Sequence, residues 1–226
     1  MKLPRTPHAW SVTPQRAVAI QQRLASRVQH VAPRRPLRLV AGLDAAFSSD
    51  DQHCIAAVVL WDLSTRAVVE QRLAVRPLTF PYIPGLLSFR EAPAVLAALR
   101  KLHTRPDVLM YDGHGLAHPR RFGVACHVGV IADMPTIGCA KSRLVGSYVE
   151  PGSQRTAAAP LIDRREVVGS VVRTQGSIKP VFVSVGHRMD LPTAERTVLA
   201  CATRYRLPEP IRLADQLVAA AKRQRS

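Results

Sequence analysis

The chain has 226 residues, 47% hydrophobic and 21% charged, which excludes a disordered or fibrous protein and leaves room for one sizeable core. Its 32 basic residues outweigh 16 acidic ones, a net charge of +16. A protein this basic is expected to meet a polyanion: nucleic acid first, an anionic membrane surface second.

Arginine supplies 27 of the 32 cations, a bias that a GC-rich genome also produces. Cys54, Cys126, Cys139 and Cys201 form no C-x-x-C pair, and three of the four sit in apolar runs. They read as reduced, buried thiols of a cytoplasmic protein, not as a disulfide framework or a zinc site. The N-terminus carries no apolar segment of signal-peptide type. The longest apolar runs, such as residues 55–61, fall far short of the ~20 residues a membrane helix needs, so no membrane insertion is expected.

Residues 1–12, rich in proline and arginine, are expected to form an irregular arm. Thr13 and Pro14 read as a helix cap followed by proline at the first helical position. Ala17, Ile20, Leu24 and Val28 then recur at helical spacing to about residue 29, and Pro33 and Pro36 end the region. Strand-like runs follow at 37–47, 53–63 and 67–75, joined by connections so short that the pairing must be antiparallel. Residues 77–85 hold Pro77, Pro81, Pro84 and Gly85 and make an ordered loop. A helix over about 89–103 tolerates Pro93 because it lies near the start.

Residues 107–112 read as a buried strand ending in a carboxylate. A glycine- and histidine-rich loop, 113–119, leads into an apolar helix at about 120–134 and a short strand at 136–140. Residues 143–178 look like irregular β-structure, with strands at 167–172 and 180–185, and helices close the chain at about 193–205 and 213–223. No internal repeat or low-complexity linker divides it, so residues 1–226 read as a single domain. The order suits an α/β fold of ribonuclease H-like type: a mixed sheet, three antiparallel strands followed by parallel strands, flanked by helices. Order alone does not separate it from other α/β arrangements.

Acidic residues are scarce, so a carboxylate inside an apolar strand stands out. Asp44 lies in Leu39-Val40-Ala41-Gly42-Leu43-Asp44, and Asp112 closes Val108-Leu109-Met110-Tyr111-Asp112. A buried lone carboxylate is costly unless it is paired, hydrogen-bonded or bound to a cation. On adjacent strands the two would make a hard oxygen site suited to Mg²⁺, with Glu91 near a helix start as a third ligand. The plainer alternative is that each acid pairs with an arginine or caps backbone groups.

Lys141, just after a strand, is placed either to meet a phosphate or to sit solvated. His114, His118 and His127 crowd residues 113–127 without any zinc-binding spacing, and His127, inside an apolar helix, reads as a satisfied core residue. The loop Phe80-Pro81-Tyr82-Ile83-Pro84-Gly85 presents an aromatic ring on a stiff support, either a wedge for a base stack or a cover for the core edge. Gly85, Gly113, Gly123 and Gly138 are sites where backbone could approach a flipped base closely.

Taken together, these stretches resemble the endonuclease V family. The resemblance is carried by V-A-G-L-D at residues 40–44, P-Y-I-P-G-L-L-S-F-R-E at 81–91, D-G-H-G-L-A-H-P-R-R at 112–121, P-T-I-G-C-A-K-S at 135–142, K-P-V-F-V-S-V-G-H at 179–187 and Y-R-L-P-E-P at 205–210. It runs from about residue 14 to residue 218, and the stretch at 81–91 is the most specific.

The resemblance implies a ribonuclease H-like fold and Mg²⁺-dependent hydrolysis, with Mn²⁺ as a substitute, at the second phosphodiester bond 3′ to inosine. Asp44, Glu91 and Asp112 match the family's metal-binding carboxylates. Lys141 matches its active-site lysine, and His187 a histidine near the metal. Tyr82 matches the strand-separating wedge, flanked by Pro81, Ile83 and Pro84. Gly85, Leu87, Gly113, Gly123 and Gly138 match the hypoxanthine pocket, and His118 a supporting loop position. The implied partner is deoxyinosine-containing DNA or inosine-containing RNA, met by a monomer.

Two departures are visible: His114 stands where many members have glutamine, and Ala45-Ala46 replaces the more usual Val-Ser. Backbone readout suits hypoxanthine, whose O6 accepts and N1–H donates where adenine does the reverse. The competing expectations are a ribonuclease H-like nuclease of other specificity, for inosine-containing RNA or junctions, and a non-catalytic nucleic-acid-binding protein. The wedge loop and the basic loop after Asp112 argue against a junction resolvase or a plain ribonuclease H; the acids and Lys141 argue against a non-catalytic protein; DNA and RNA both stay open as substrate.

Overall fold

In the computed structural model, residues 1–224 are described; Arg225 and Ser226, the last two residues of the expected domain, lie outside the described residues. The chain starts its sheet with a meander of β1 (Leu39–Phe47), β2 (His53–Asp62) and β3 (Ala67–Pro77), paired antiparallel. β2 is buried along its length apart from His53, which a strand achieves only when both faces are covered. Side chains alternate across a strand. Cys54, Ala56, Val58 and Leu60 therefore pack with the apolar side of helix α2 (Ser88–Arg100). Ala57 and Val59 pack with Ala214 and Val218 of helix α5 (Glu209–Arg223) on the other face.

β4 (Val108–Tyr111) lies parallel to β1, and β5 (Thr136–Ala140) parallel to β4, as expected. The sheet then turns antiparallel again through β8 (Val181–Val185), β7 (Glu166–Val172) and β6 (Ala158–Asp163). Its full order is β3-β2-β1-β4-β5-β8-β7-β6, one continuous eight-stranded sheet. β6 escaped the sequence pattern for a physical reason: it is an edge strand, mostly exposed and carrying Pro160, so it lacks an apolar alternation.

Helices α1 (Pro14–Ala25), α3 (Val124–Ala132) and α4 (Leu191–Cys201) complete the layers. The Thr13 hydroxyl accepts from the Arg16 N–H, the expected cap. Helix α3 begins at Val124, not near residue 120, because residues 118–121 make a tight turn ending with Arg121 at φ +54°. Helix α5 begins at Glu209, earlier than residue 213, since Pro210 sits in the first turn, where its missing N–H costs nothing.

The arm over residues 1–12 is irregular, as expected, yet docked. The Met1 ammonium donates to the Arg100 and Leu102 carbonyls at the end of α2. Trp10 packs edge-on against Phe89. His8 Nδ1 lies 2.8 Å from the Ala9 carbonyl and donates to it, so its Nε2 accepts the His127 Nε2–H at 2.8 Å. His127 Nδ1 in turn accepts the Ser88 hydroxyl proton at 2.8 Å. His127 is wholly buried with both ring nitrogens satisfied, the core role expected of it.

Candidate active site

β1 and β4 are parallel neighbours, with Leu43 opposite Tyr111. The next residue on each is an aspartate, so Asp44 and Asp112 stand side by side, and the Asp112 N–H closes the ladder on the Leu43 carbonyl at 3.0 Å. A third acid comes from the last helix. One carboxylate oxygen each from Asp44, Asp112 and Asp215 can be chosen so that all lie within 4.8 Å of one another.

Asp215 reaches this point because α5 presses on β1 at Gly42. A Cβ at Gly42 would lie 2.1 Å from the Pro210 carbonyl carbon, so only glycine lets the helix sit so close. Lys141, one residue past β5, places Nζ 2.7 Å from Asp112 and 3.2 Å from Asp215.

Glu91, on the first turn of α2, is buried behind Asp44 and Asp112, and the Tyr111 hydroxyl donates to its Oε2 at 2.9 Å. Desolvation, reinforced by Asp44 and Asp112, pushes the Glu91 carboxyl up to about 8 against the stabilising bond from Tyr111. Burial and the neighbouring Asp112 push Asp44 up to about 7. Asp112 is raised mainly by burial, with Lys141 opposing. Like charges this close cannot all ionise without a cation. Lys141 supplies only part of that compensation, so the donor set fits a hard divalent cation with oxygen ligands.

The loop over residues 81–87 leads directly into α2. Tyr82 is 68% exposed, so it is free to meet a substrate, and Pro81 and Pro84 beside it are exposed too. Ile83 packs against the cluster around Phe80, Leu86 and Phe89, which anchors the loop. Leu87 sits next to the helix start and is half-buried. Gly85 adopts φ +78°, the left-handed conformation that favours glycine.

The Gly85 carbonyl accepts from three donors: Gln21 Nε2 at 3.0 Å, His118 Nε2 at 3.0 Å and Arg120 at 2.5 Å. His118 Nδ1 accepts the Arg120 N–H, so the ring is neutral, and burial pushes its pKa down to about 4. Gly113, Gly123 and Gly138 border the same loops. The space a Cβ would need at Gly123 is taken by the His114 carbonyl, 2.2 Å away, and at Gly138 by the Gly113 carbonyl, 2.6 Å away. Their missing side chains let the loop after Asp112 fold onto β5 and α3. The close approach anticipated for a base is thus first an approach of protein to itself.

The structure corrects one placement. β8 runs antiparallel to β5, with Val185 opposite Ile137, so His187 lies beside the start of β5 while Asp112 is level with its end. There the His187 N–H donates to Thr136 Oγ1 at 2.7 Å, its Nδ1 accepts from the Gln29 N–H, and Nε2 sits 3.4 Å from Asp133. His187 is a packing residue at the far end of the sheet and takes no part in the acid cluster. Asp215, Gln21 and Arg120 were the residues the motifs did not single out. Arg120 stood inside the 112–121 stretch, and Asp215 lies just past the 205–210 stretch.

A mixed sheet whose two central parallel strands bring paired aspartates together, completed by an acid from the last helix and a lysine, defines a ribonuclease H-like enzyme of carboxylate-held cation type. The endonuclease V sequence profile matches residues 22–216. The endonuclease V of Roseiflexus sp. (strain RS-1) is 51% identical over 208 residues, 92% of this chain and 93% of that protein. The crystal structure of Streptomyces avermitilis endonuclease V superposes with a TM-score of 0.92 at 45% identity, covering 99% of both chains. The Ciona intestinalis endonuclease V structure, in complex with a 24mer DNA containing an inosine followed by a ribo-adenosine, matches at 25% identity and TM-score 0.82, over 94% of this chain and 98% of that one. The chain belongs to the endonuclease V family, and it is an endonuclease. Among the described residues no helix is long and apolar enough to cross a membrane, and all four cysteines are buried and unpaired.

Proposed function

We propose that this endonuclease acts in DNA repair: it recognises inosine in DNA and hydrolyses the second phosphodiester bond 3′ to it, leaving 5′-phosphate and 3′-hydroxyl ends. The observation that carries this is the convergence of Asp44, Asp112 and Asp215 beside an exposed aromatic loop in a chain of net charge +16. The relative solved with inosine-containing DNA supports the choice of base. The metal is Mg²⁺, with Mn²⁺ as a substitute, held by Asp44, Asp112 and Asp215, with Glu91 behind them. When bound, it neutralises phosphate charge and makes a water more acidic.

The chain's own groups do the rest. Lys141, already poised over Asp112 and Asp215, meets the scissile phosphate with a positive charge. Glu91, held by the Tyr111 hydroxyl, adds a further carboxylate behind the aspartates toward the cation. Tyr82 inserts where the base leaves the stack, supported by Pro81, Ile83 and Pro84. With the Gly85 carbonyl occupied by three donors, hypoxanthine is read by other backbone groups of the 81–87 loop and of the loops at Gly113, Gly123 and Gly138, with His118 holding the frame. Every group used comes from one chain, so a monomer suffices, and the buried unpaired thiols suit the cytoplasm.

The test is cleavage of an end-labelled strand carrying one inosine, in DNA and in RNA, with Mg²⁺ and then with EDTA. Metal-dependent cutting of the DNA at the second bond 3′ to inosine is expected. Cutting independent of inosine, or binding without cutting, would refute it.

A further inference from the structure

A second feature lies at the other end of the sheet. A cleft of about 810 Å³ opens where β1, β4 and β5 begin. Leu37, Met134 and Pro135 form part of its apolar floor, and Arg34, Arg35 and Arg105 line it as well. These three arginines are exposed, and none has an ion pair among the described residues. The one acid in the lining, Asp107, is committed: its Oδ2 accepts the N–H groups of Arg38 at 2.9 Å and Leu39 at 2.8 Å, where β1 starts. With the single charge of Asp107 set against Arg34, Arg35 and Arg105, the cleft keeps a net positive charge.

Size and chemistry together select a ligand. A volume of this order suits a small-molecule-sized group. An apolar floor beneath unpaired guanidinium groups suits a flat ring joined to phosphates, because arginine forks match phosphate oxygens and prolyl and methionine surfaces accept a base face. Asp44 lies five residues along β1 from Leu39, roughly 17 Å away at about 3.3 Å per residue. That is about five nucleotide steps at the stacked rise of roughly 3.4 Å each, and about half as many in a fully extended strand.

We propose that this cleft is a second nucleic-acid subsite that binds a nucleotide unit of the substrate strand several nucleotides from the cut. It rests on the nuclease reading above and adds to it a contact remote from the acids. The same chemistry is offered by a free nucleotide, so the test must separate the two sources.

The test compares wild type with the triple variant R34Q/R35Q/R105Q, and with R105Q alone, on two single-stranded inosine substrates. One has flanks of about two nucleotides beyond the scissile bond and cannot span the distance even when extended; the other has flanks of about 20. The expected result is unchanged kcat on both and unchanged KM on the short strand. On the long strand, KM should rise about tenfold in the triple variant. The slope of log affinity against log salt should become shallower by about 2, close to 0.7 for each of three phosphates no longer neutralised. R105Q should show a partial effect in the same direction.

Equal KM changes on short and long strands would overturn the subsite, as would an unaltered salt slope. Inosine 5′-monophosphate is titrated separately by calorimetry. Wild-type binding that the triple variant loses, with no length dependence in cleavage, would reassign the cleft to a free nucleotide and overturn the proposal. If wild type failed to cut inosine strands at all, the nuclease reading would fall, while fluorescence-anisotropy binding of the two strand lengths would still decide the cleft.

Discussion

Two groups of titratable side chains in this protein differ in one respect. In the chain from Ser88 through His127 to His8, every proton has an acceptor and every ring is neutral. In the cluster around Asp215, burial and mutual repulsion raise the carboxyl pKa values of Asp44, Glu91 and Asp112, and Lys141 answers only some of the charge. A closed network stabilises the fold and asks for nothing further. An open one requires a partner from outside, and that separates a site from a strut.

Removing any member of the open cluster should have the largest effect on function. Asp44→Asn or Asp215→Ala is expected to lower cleavage by on the order of 10³-fold, the scale on which losing one electrostatic stabiliser is felt, while strand binding persists. Asp44→Asn should also raise the metal-free melting temperature at pH 8 by several degrees. The sign follows from linkage. Asp44 has a folded pKa of about 7, above its unfolded value, so its contribution to stability is present below the unfolded value and lost as pH rises through 7. Full turnover in either variant would break the assignment; an unchanged melting temperature for Asp44→Asn would show the repulsion to be absent.

The closed chain should behave in the opposite way. His127→Ala is expected to cost about 2–4 kcal/mol of stability in a denaturant melt, with kcat nearly unchanged. Its folded pKa is depressed by burial, so its stability contribution is present above pH ~6.5 and is lost as pH falls below that value. A melting temperature flat from pH 7 to pH 5 would contradict this. Gly42→Ala joins the two behaviours. It must push α5 off β1, costing about 1–3 kcal/mol, and carries Asp215 away, so stability and turnover should fall together.

Smaller effects are expected at the rim. Tyr82→Ala should weaken binding about tenfold to an inosine in duplex DNA, where a base must leave the stack, a cost of a few kcal/mol, and less in single strands. Equal losses on both would remove the wedge. The smallest effect is the wild-type rate at sub-saturating Mg²⁺, which should rise from about pH 6 to pH 8 as Asp44 and Glu91 give up protons to the cation, a rise that saturating Mg²⁺ moves to lower pH. A rate falling across that range would be inconsistent with carboxylates that must ionise.

Much of this was legible in the chain. Asp44 and Asp112 stand out as acids within or closing apolar strands, and Glu91 and Lys141 lie in distinctive motifs. What stayed hidden depends on contacts between distant segments. Asp215 sits past the last matched motif on a helix whose start was placed too late, and only the Gly42–Pro210 approach brings it to β1. His187 was misplaced because a motif says nothing about strand direction, and β8 reverses against β5. The docking of the irregular arm is not visible in the sequence because its hold comes from single residues, His8, Trp10 and Met1, not from any periodic pattern.

The central claim is that the open cluster is completed by a divalent cation. Crystals soaked in Mn²⁺ and measured at the manganese absorption edge test it most directly. An anomalous peak among the carboxylates of Asp44, Asp112 and Asp215, lost in Asp215→Ala crystals, is the predicted result. A peak elsewhere with none at this cluster would contradict it.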